Sequence, residues 1–167
     1  MPGSSSVIVK LRLPRSVAER LEREAKLAGL SLEEYLLDQA LQGVDPPERA
    51  RAYIEAAEDL LAQSLEEARK GNVRQAAEKL WGAAALAVKA YAAWREGRRL
   101  ASHVELWEFK RVMERELGAW VRDSWASAVE MRICFYEAWC SGEDVEGALV
   151  RVKKLVEEVK GKVSGGL

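Results

Sequence analysis

His103 is the chain's only histidine, and Arg98 precedes it with four residues between them. That pair could do acid-base and phosphoryl chemistry. An imidazole that titrates near neutral pH can take up a proton and return it. A guanidinium fork can stabilise the charge that gathers on phosphoryl oxygens, and neither role needs a metal. Ser102 with Glu105 three residues on forms a capping box, so His103 lies in the first turn of a helix. The positive end of that helix, with Arg98 and Arg99 beside it, is expected to lower the pKa of His103 and favour the neutral ring. A lone neutral imidazole accepts a proton but cannot also donate one, so Arg98 or a second copy of the chain must cover the other role. The competing reading is an exposed first-turn histidine beside a basic helix junction, Arg95 to Arg99.

Other constellations are thinner. Cys134 and Cys140 are the only cysteines. Six apart on one helix they point to different sides, which predicts two buried or half-buried thiols and no metal site. Glu66-Glu67, Glu114 with Glu116, and Glu157-Glu158 are clusters on outward faces, with no Glu-x-x-His among them. The terminal GKVSGG has the wrong spacing for a phosphate loop. No cofactor is implied. Lys and Arg number 26 against 27 for Asp and Glu, a formal charge of -1, so the chain as a whole does not advertise a polyanionic partner. Basic residues nonetheless gather in two places, Lys10 to Lys26 and Arg95 to Arg99. Candidate nucleic-acid contacts are therefore Lys10, Arg12, Arg15, Arg95 and Arg99. No apolar run approaches the roughly 18 residues of a membrane span, and no signal peptide is visible, which together predict a cytoplasmic protein without a membrane partner.

These residues are positioned by a chain that reads as helical almost throughout. The stretch Asn72 to Trp94 is the organiser: Val73, Ala77, Leu80, Trp81, Ala84, Val88 and Tyr91 recur at helical spacing, and much of the remaining surface is alanine. Asn72 and Gln75 are read as its capping pair. Before it, Glu48 to Lys70 is amphipathic and ends at Gly71. After it come a helix from Ser102 to about Leu117 and another from Ala119 to Trp139. The second of these carries Val121, Trp125, Ala128, Val129, Arg132, Tyr136 and Trp139 on its inner face. A last helix opens at Ser141 and Asp144. The six tryptophans fall at helical spacing, which suits core or interface better than a stacking platform. The front of the chain is built differently. Val7 to Leu13 alternates with period 2, as a strand does, and two short helices follow, ending at Gly29 and near Gly43, with Ser31 and Glu34 as a capping box. No second strand candidate exists, so this one must pair with another copy, lie flat or stay unstructured.

Two resemblances add to this reading. The strand-helix-helix order, and the wording VKLRLPRSVAERLEREAKLAGLSLEEYLLDQAL, resembles a ribbon-helix-helix DNA-binding unit. That resemblance implies strands paired between subunits, Ile8, Lys10 and Arg12 turned to the major groove, and a phosphate held by the amides near Ser31 and Leu32. The alternative is a helical hairpin that docks on the main domain or dimerises it. Farther on, GNVRQAAEKLWGAAALAVKAYA, the aromatics from Trp125 to Trp139, and EDVEGALVRVKKLVEEV resemble an archaeal paralogous helical family first described as a Pyrobaculum repeat family, over about Glu48 to Val159. That bundle is similar to the HEPN superfamily of nucleotide-binding and RNA-cleaving helical domains. The likeness implies dimers, and a metal-independent endoribonuclease reading in which Arg98 and His103 act on a ribose 2'-hydroxyl and its phosphate.

The expectation is an all-α antiparallel bundle at 47–160 preceded by a strand-helix-helix segment at 7–43. It forms a homodimer or higher oligomer, because its apolar and aromatic residues exceed what the bundle can bury. The favoured function is a non-catalytic binding or assembly protein with a nucleic-acid, nucleotide or protein partner. The alternatives are the ribonuclease and a ribbon-helix-helix-type DNA-binding regulator.

Overall fold

The computed structural model describes residues 6–165. Among them are seven α-helices and no β-strand: α1 Arg15–Leu27, α2 Leu32–Ala40, α3 Pro46–Arg69, α4 Val73–Glu96, α5 His103–Leu117, α6 Trp120–Glu137 and α7 Gly142–Gly165. They divide into two compact units, one of residues 7–45 and one of residues 46–165.

The larger unit is organised around α4, which packs against α3, α5, α6 and α7. Its composition explains why. Ala76, Ala77, Ala83, Ala84, Ala87, Ala90 and Ala92 are all buried, so four neighbours reach its backbone from different sides. Leu80, Leu86 and Val88 fill the space between them, together with Phe109 and Met113 of α5, Trp125 and Met131 of α6, and Val152, Leu155 and Val156 of α7. Each such side chain stabilises the fold by about 1.5–3 kcal/mol through its burial. Ser64 of α3 donates to the Ala76 carbonyl at 2.8 Å, a buried polar tie inside this apolar hairpin.

Turn chemistry sets the helix ends. Gly71 and Gly97 take left-handed φ values of 80° and 64°, which glycine adopts without the Cβ clash, and close α3 and α4. The Arg98 amide reaches back to the Ala92 carbonyl at 3.2 Å across that second turn. Ser102 caps α5, accepting from the Glu105 amide at 3.2 Å. Asn72 stands at the N-cap of α4 but makes no capping bond. Its amide group donates instead to the Glu67 carboxylate at 2.7 Å, so the pairing with Gln75 is not formed.

The end of α6 departs most from a simple helix. Ala138 adopts φ 55° and its amide meets the Cys134 carbonyl at 2.7 Å. The chain turns back, and Cys140 forms a disulfide with Cys134, their Cα atoms 5.5 Å apart. The spacing argument that kept these thiols apart assumed a helix through Trp139; α6 stops at Glu137. Tyr136 and Trp139 consequently lie on the surface rather than on the inner face.

The smaller unit corrects a second expectation. Residues 7–13 form no strand, and Val7, Ile8, Val9, Leu11 and Leu13 are all exposed, Ile8 at 92%. Period-2 alternation is necessary for a half-buried strand but does not supply the hydrogen-bonding partner, and the described chain contains no second strand. The ribbon-helix-helix unit, and with it the strand-helix-helix segment, is therefore absent. What remains is the α1–α2 hairpin. Ser31 caps α2 by accepting from the Glu34 amide at 3.1 Å. The Tyr35 hydroxyl donates to Glu24 at 2.6 Å, tying the two helices together.

Candidate functional site: a cation and aromatic seam between α4 and α6

Along α4, Arg74 and Trp81 stand seven residues apart, two turns, and so share one face. Along α6, Arg132 and Tyr136 are related by one turn. The two helices run antiparallel here, because Trp81 meets Trp125 near the start of α6 and Arg74 meets Phe135 near its end. The result is a continuous ladder. The Arg132 guanidinium lies 5.7 Å from the Trp81 ring and 5.6 Å from the Tyr136 ring. Tyr136 packs edge-on to Phe135 at 5.2 Å, and Arg74 lies 5.2 Å over Phe135 while its Nε donates to the Phe135 carbonyl.

The first turns of α5 close the other end. His103 stacks on Trp81, ring centroids 5.7 Å apart and planes 22° from parallel. One turn on, Trp107 meets Trp125 edge to face at 5.8 Å and carries Lys110 over its ring at 5.4 Å. Trp125 is 1% exposed, and its indole N–H has no hydrogen-bond partner. An orphan donor in that position is uncommon in a packed interior. The outer rungs are open: Tyr136 is 64% exposed and Trp107 41%.

Electrostatics at the seam are unbalanced. Several cations of the bundle are neutralised by carboxylates: Arg95 by Glu116 at 2.6 Å, Lys160 by Glu58 at 2.8 Å, and Lys110 and Arg122 both by Glu114. Arg132 and Arg74 pair with no carboxylate among the described residues. Each cation–π contact gives Arg132 roughly 0.5–2 kcal/mol without cancelling its charge. His103 registers the field. Its pKa is lowered from the ordinary 6.5 first by burial, then by the charges of Arg132 and Lys89. The lowering expected from Arg98 and Arg99 thus comes instead from burial and, after it, from cations on α4 and α6.

The residues singled out from sequence are scattered by comparison. Arg98 pairs with Glu105 at 3.6 Å. Arg95 is engaged by Glu116, which also accepts from Tyr91 at 3.3 Å. Burial and then the Glu116 charge push the Tyr91 hydroxyl up to about 12. Arg99 is exposed. Lys10 and Arg12 lie in the exposed segment before α1, Arg15 is the first residue of α1, and the Ser31 hydroxyl is occupied in capping. Only His103 enters the seam. Arg132 and Trp81 were visible as members of apolar stripes, and a charged residue on such a stripe is the signal that points to the site. Among the described residues no group of three His, Cys, Asp or Glu lies close enough to hold a metal ion.

A family model for the archaeal PaREP1/PaREP8 family matches residues 52–156, well over half of the chain. The chain belongs to the archaeal PaREP1/PaREP8 family. The matched span begins inside α3 and ends inside α7. Every residue of the seam lies within the PaREP1/PaREP8 span, and the α1–α2 unit lies outside it. No curated protein and no solved structure matches the chain. No helix of the described residues is long and apolar enough to cross a membrane.

Proposed function

We propose that this chain is a non-catalytic binding or assembly protein that takes a nucleic acid or nucleotide on the α4–α6 seam. The observation that carries the reading is Arg132, a guanidinium held between Trp81 and Tyr136 with no carboxylate partner among the described residues. Such a group presents N–H donors to a phosphate while its neighbours present ring faces to a base. Arg74, over the Phe135 ring, adds a second guanidinium to the same seam. The protein works as a homodimer or higher oligomer in a cytoplasmic setting.

The test is binding of labelled RNA and DNA at about 50 mM salt, repeated at higher salt. The reading predicts a log–log slope of roughly -0.7 per phosphate contact on a single strand. Absence of binding to any nucleic acid or nucleotide at the lower salt would leave a purely structural protein.

The catalytic alternative, a metal-independent endoribonuclease using Arg98 and His103, needs both groups on one phosphate. Arg98 instead engages Glu105, and the charges acting on His103 are Arg132 and Lys89. These observations favour binding over cleavage. RNA cut in EDTA by the wild type but not by His103→Ala would reverse that preference.

A further inference from the structure

We infer that the seam selects a strand with unpaired bases, one base stacking on Tyr136 while the adjoining phosphate meets Arg132. The inference rests on the nucleic-acid reading above and narrows its ligand. A basic surface alone would bind any polyanion, duplex included. This surface is different, because its two guanidiniums are joined to ring faces in a chain of contacts: His103, Trp81, Arg132, Tyr136, Phe135, Arg74.

A duplex covers the faces of its bases by stacking them on each other, so an aromatic ladder gains nothing from it. Unpaired bases offer those faces, and aromatic and arginine planes hold them. The dimensions fit a short stretch. Arg74 and Trp81 are separated by about 10 Å along α4, room for about three bases at the roughly 3.4 Å per-strand rise. The open rungs decide where contact is made. Tyr136 is exposed and has Arg132 over its ring, whereas Trp81 is faced by Arg132 and also stacked on by His103. Arg132 therefore acts at the centre, and Tyr136 is the stacking platform.

The experiment uses the full chain, with a labelled 12-nucleotide single strand and the blunt duplex of the same sequence compared by fluorescence anisotropy at about 50 mM salt. The single strand is expected to bind at least about tenfold more tightly, with quenching of tryptophan emission. Tyr136→Ala, at an exposed position that leaves the core untouched, should weaken the single strand roughly tenfold and leave the duplex unchanged. Arg132→Lys keeps the charge and removes the plane, and should also lose most of the discrimination. Circular dichroism of each variant confirms the fold. Equal affinity for strand and duplex, or an unchanged Tyr136→Ala, overturns the inference while leaving the nucleic-acid reading in place. Failure of both probes to bind the wild type overturns the reading and the inference together.

Discussion

At the scale of single residues, His103 is the reporter of the seam. Burial, Arg132 and Lys89 hold its folded pKa below 6.5. A group depressed in this way contributes stability above its unfolded pKa, and that contribution is lost as pH falls through 6.5 and on through the lower folded value. Urea unfolding should therefore show stability dropping below about pH 6.5, and the drop should be smaller in His103→Gln. Removing one of the causes gives a sharper check. In Arg132→Ala, the His103 titration followed by NMR is expected to move up toward 6.5, whereas Arg98→Ala should leave it in place. The first-turn position of His103 was legible in the residues around it, and the downward direction of its shift was expected but from the wrong sources, the helix end with Arg98 and Arg99 rather than burial. The identity of the charges responsible was not legible, because Lys89 and Arg132 lie far away in sequence and reach it only through the packing of α4, α5 and α6.

At the scale of elements, helix ends carry most of what can be tested. Ser102 satisfies the Glu105 amide at the start of α5, and Ser102→Ala should cost about 1 kcal/mol of stability. The alanine surface of α4 is packed on every side, so Ala84→Leu should destabilise by about 1–3 kcal/mol through overpacking. Periodicity made α3 to α5 legible nearly to their boundaries, since each carries a 3.6-residue stripe with a glycine at its end, whereas α7 runs on through Gly161 to Gly165, past the end expected near residue 160. It misled at Val7 to Leu13, where alternation exists but no partner strand does among the described residues. The end of α6 was illegible for another reason: a left-handed alanine at position 138 has no sequence signature. The Cys134–Cys140 bridge across that turn closes a ring of sequence separation 6. Reducing it with a dithiol should lower stability by about 2 kcal/mol on chain-entropy grounds. Free-thiol counting before and after treatment gives the occupancy.

At the scale of the whole molecule, two compact units differ in how much apolar surface they bury. The unit of residues 46–165 has a continuous core drawn from five helices, while residues 7–45 bury only Ala25 among their apolar side chains. Val7, Ile8, Val9, Leu11, Leu13, Val17 and Leu27 are left in solvent. Surface of that kind is costly in an isolated chain, and light scattering at micromolar concentration is expected to give a dimer or larger. A monomer would remove the oligomer from the account without touching the seam. The seam itself is a property of the assembled bundle: its rungs come from three helices, and no window of the sequence contains them together. The central claim is that nucleic acid docks there, and the most direct measurement is an NMR titration of the full chain with a short single-stranded oligonucleotide. Its readouts are the His103 ring protons and the indole N–H signals of the six tryptophans. The account predicts shifts in His103, Trp81 and Trp107, with Trp94 and Trp120 unmoved. Shifts confined to Trp94 and Trp120, or none at saturating oligonucleotide, would contradict it.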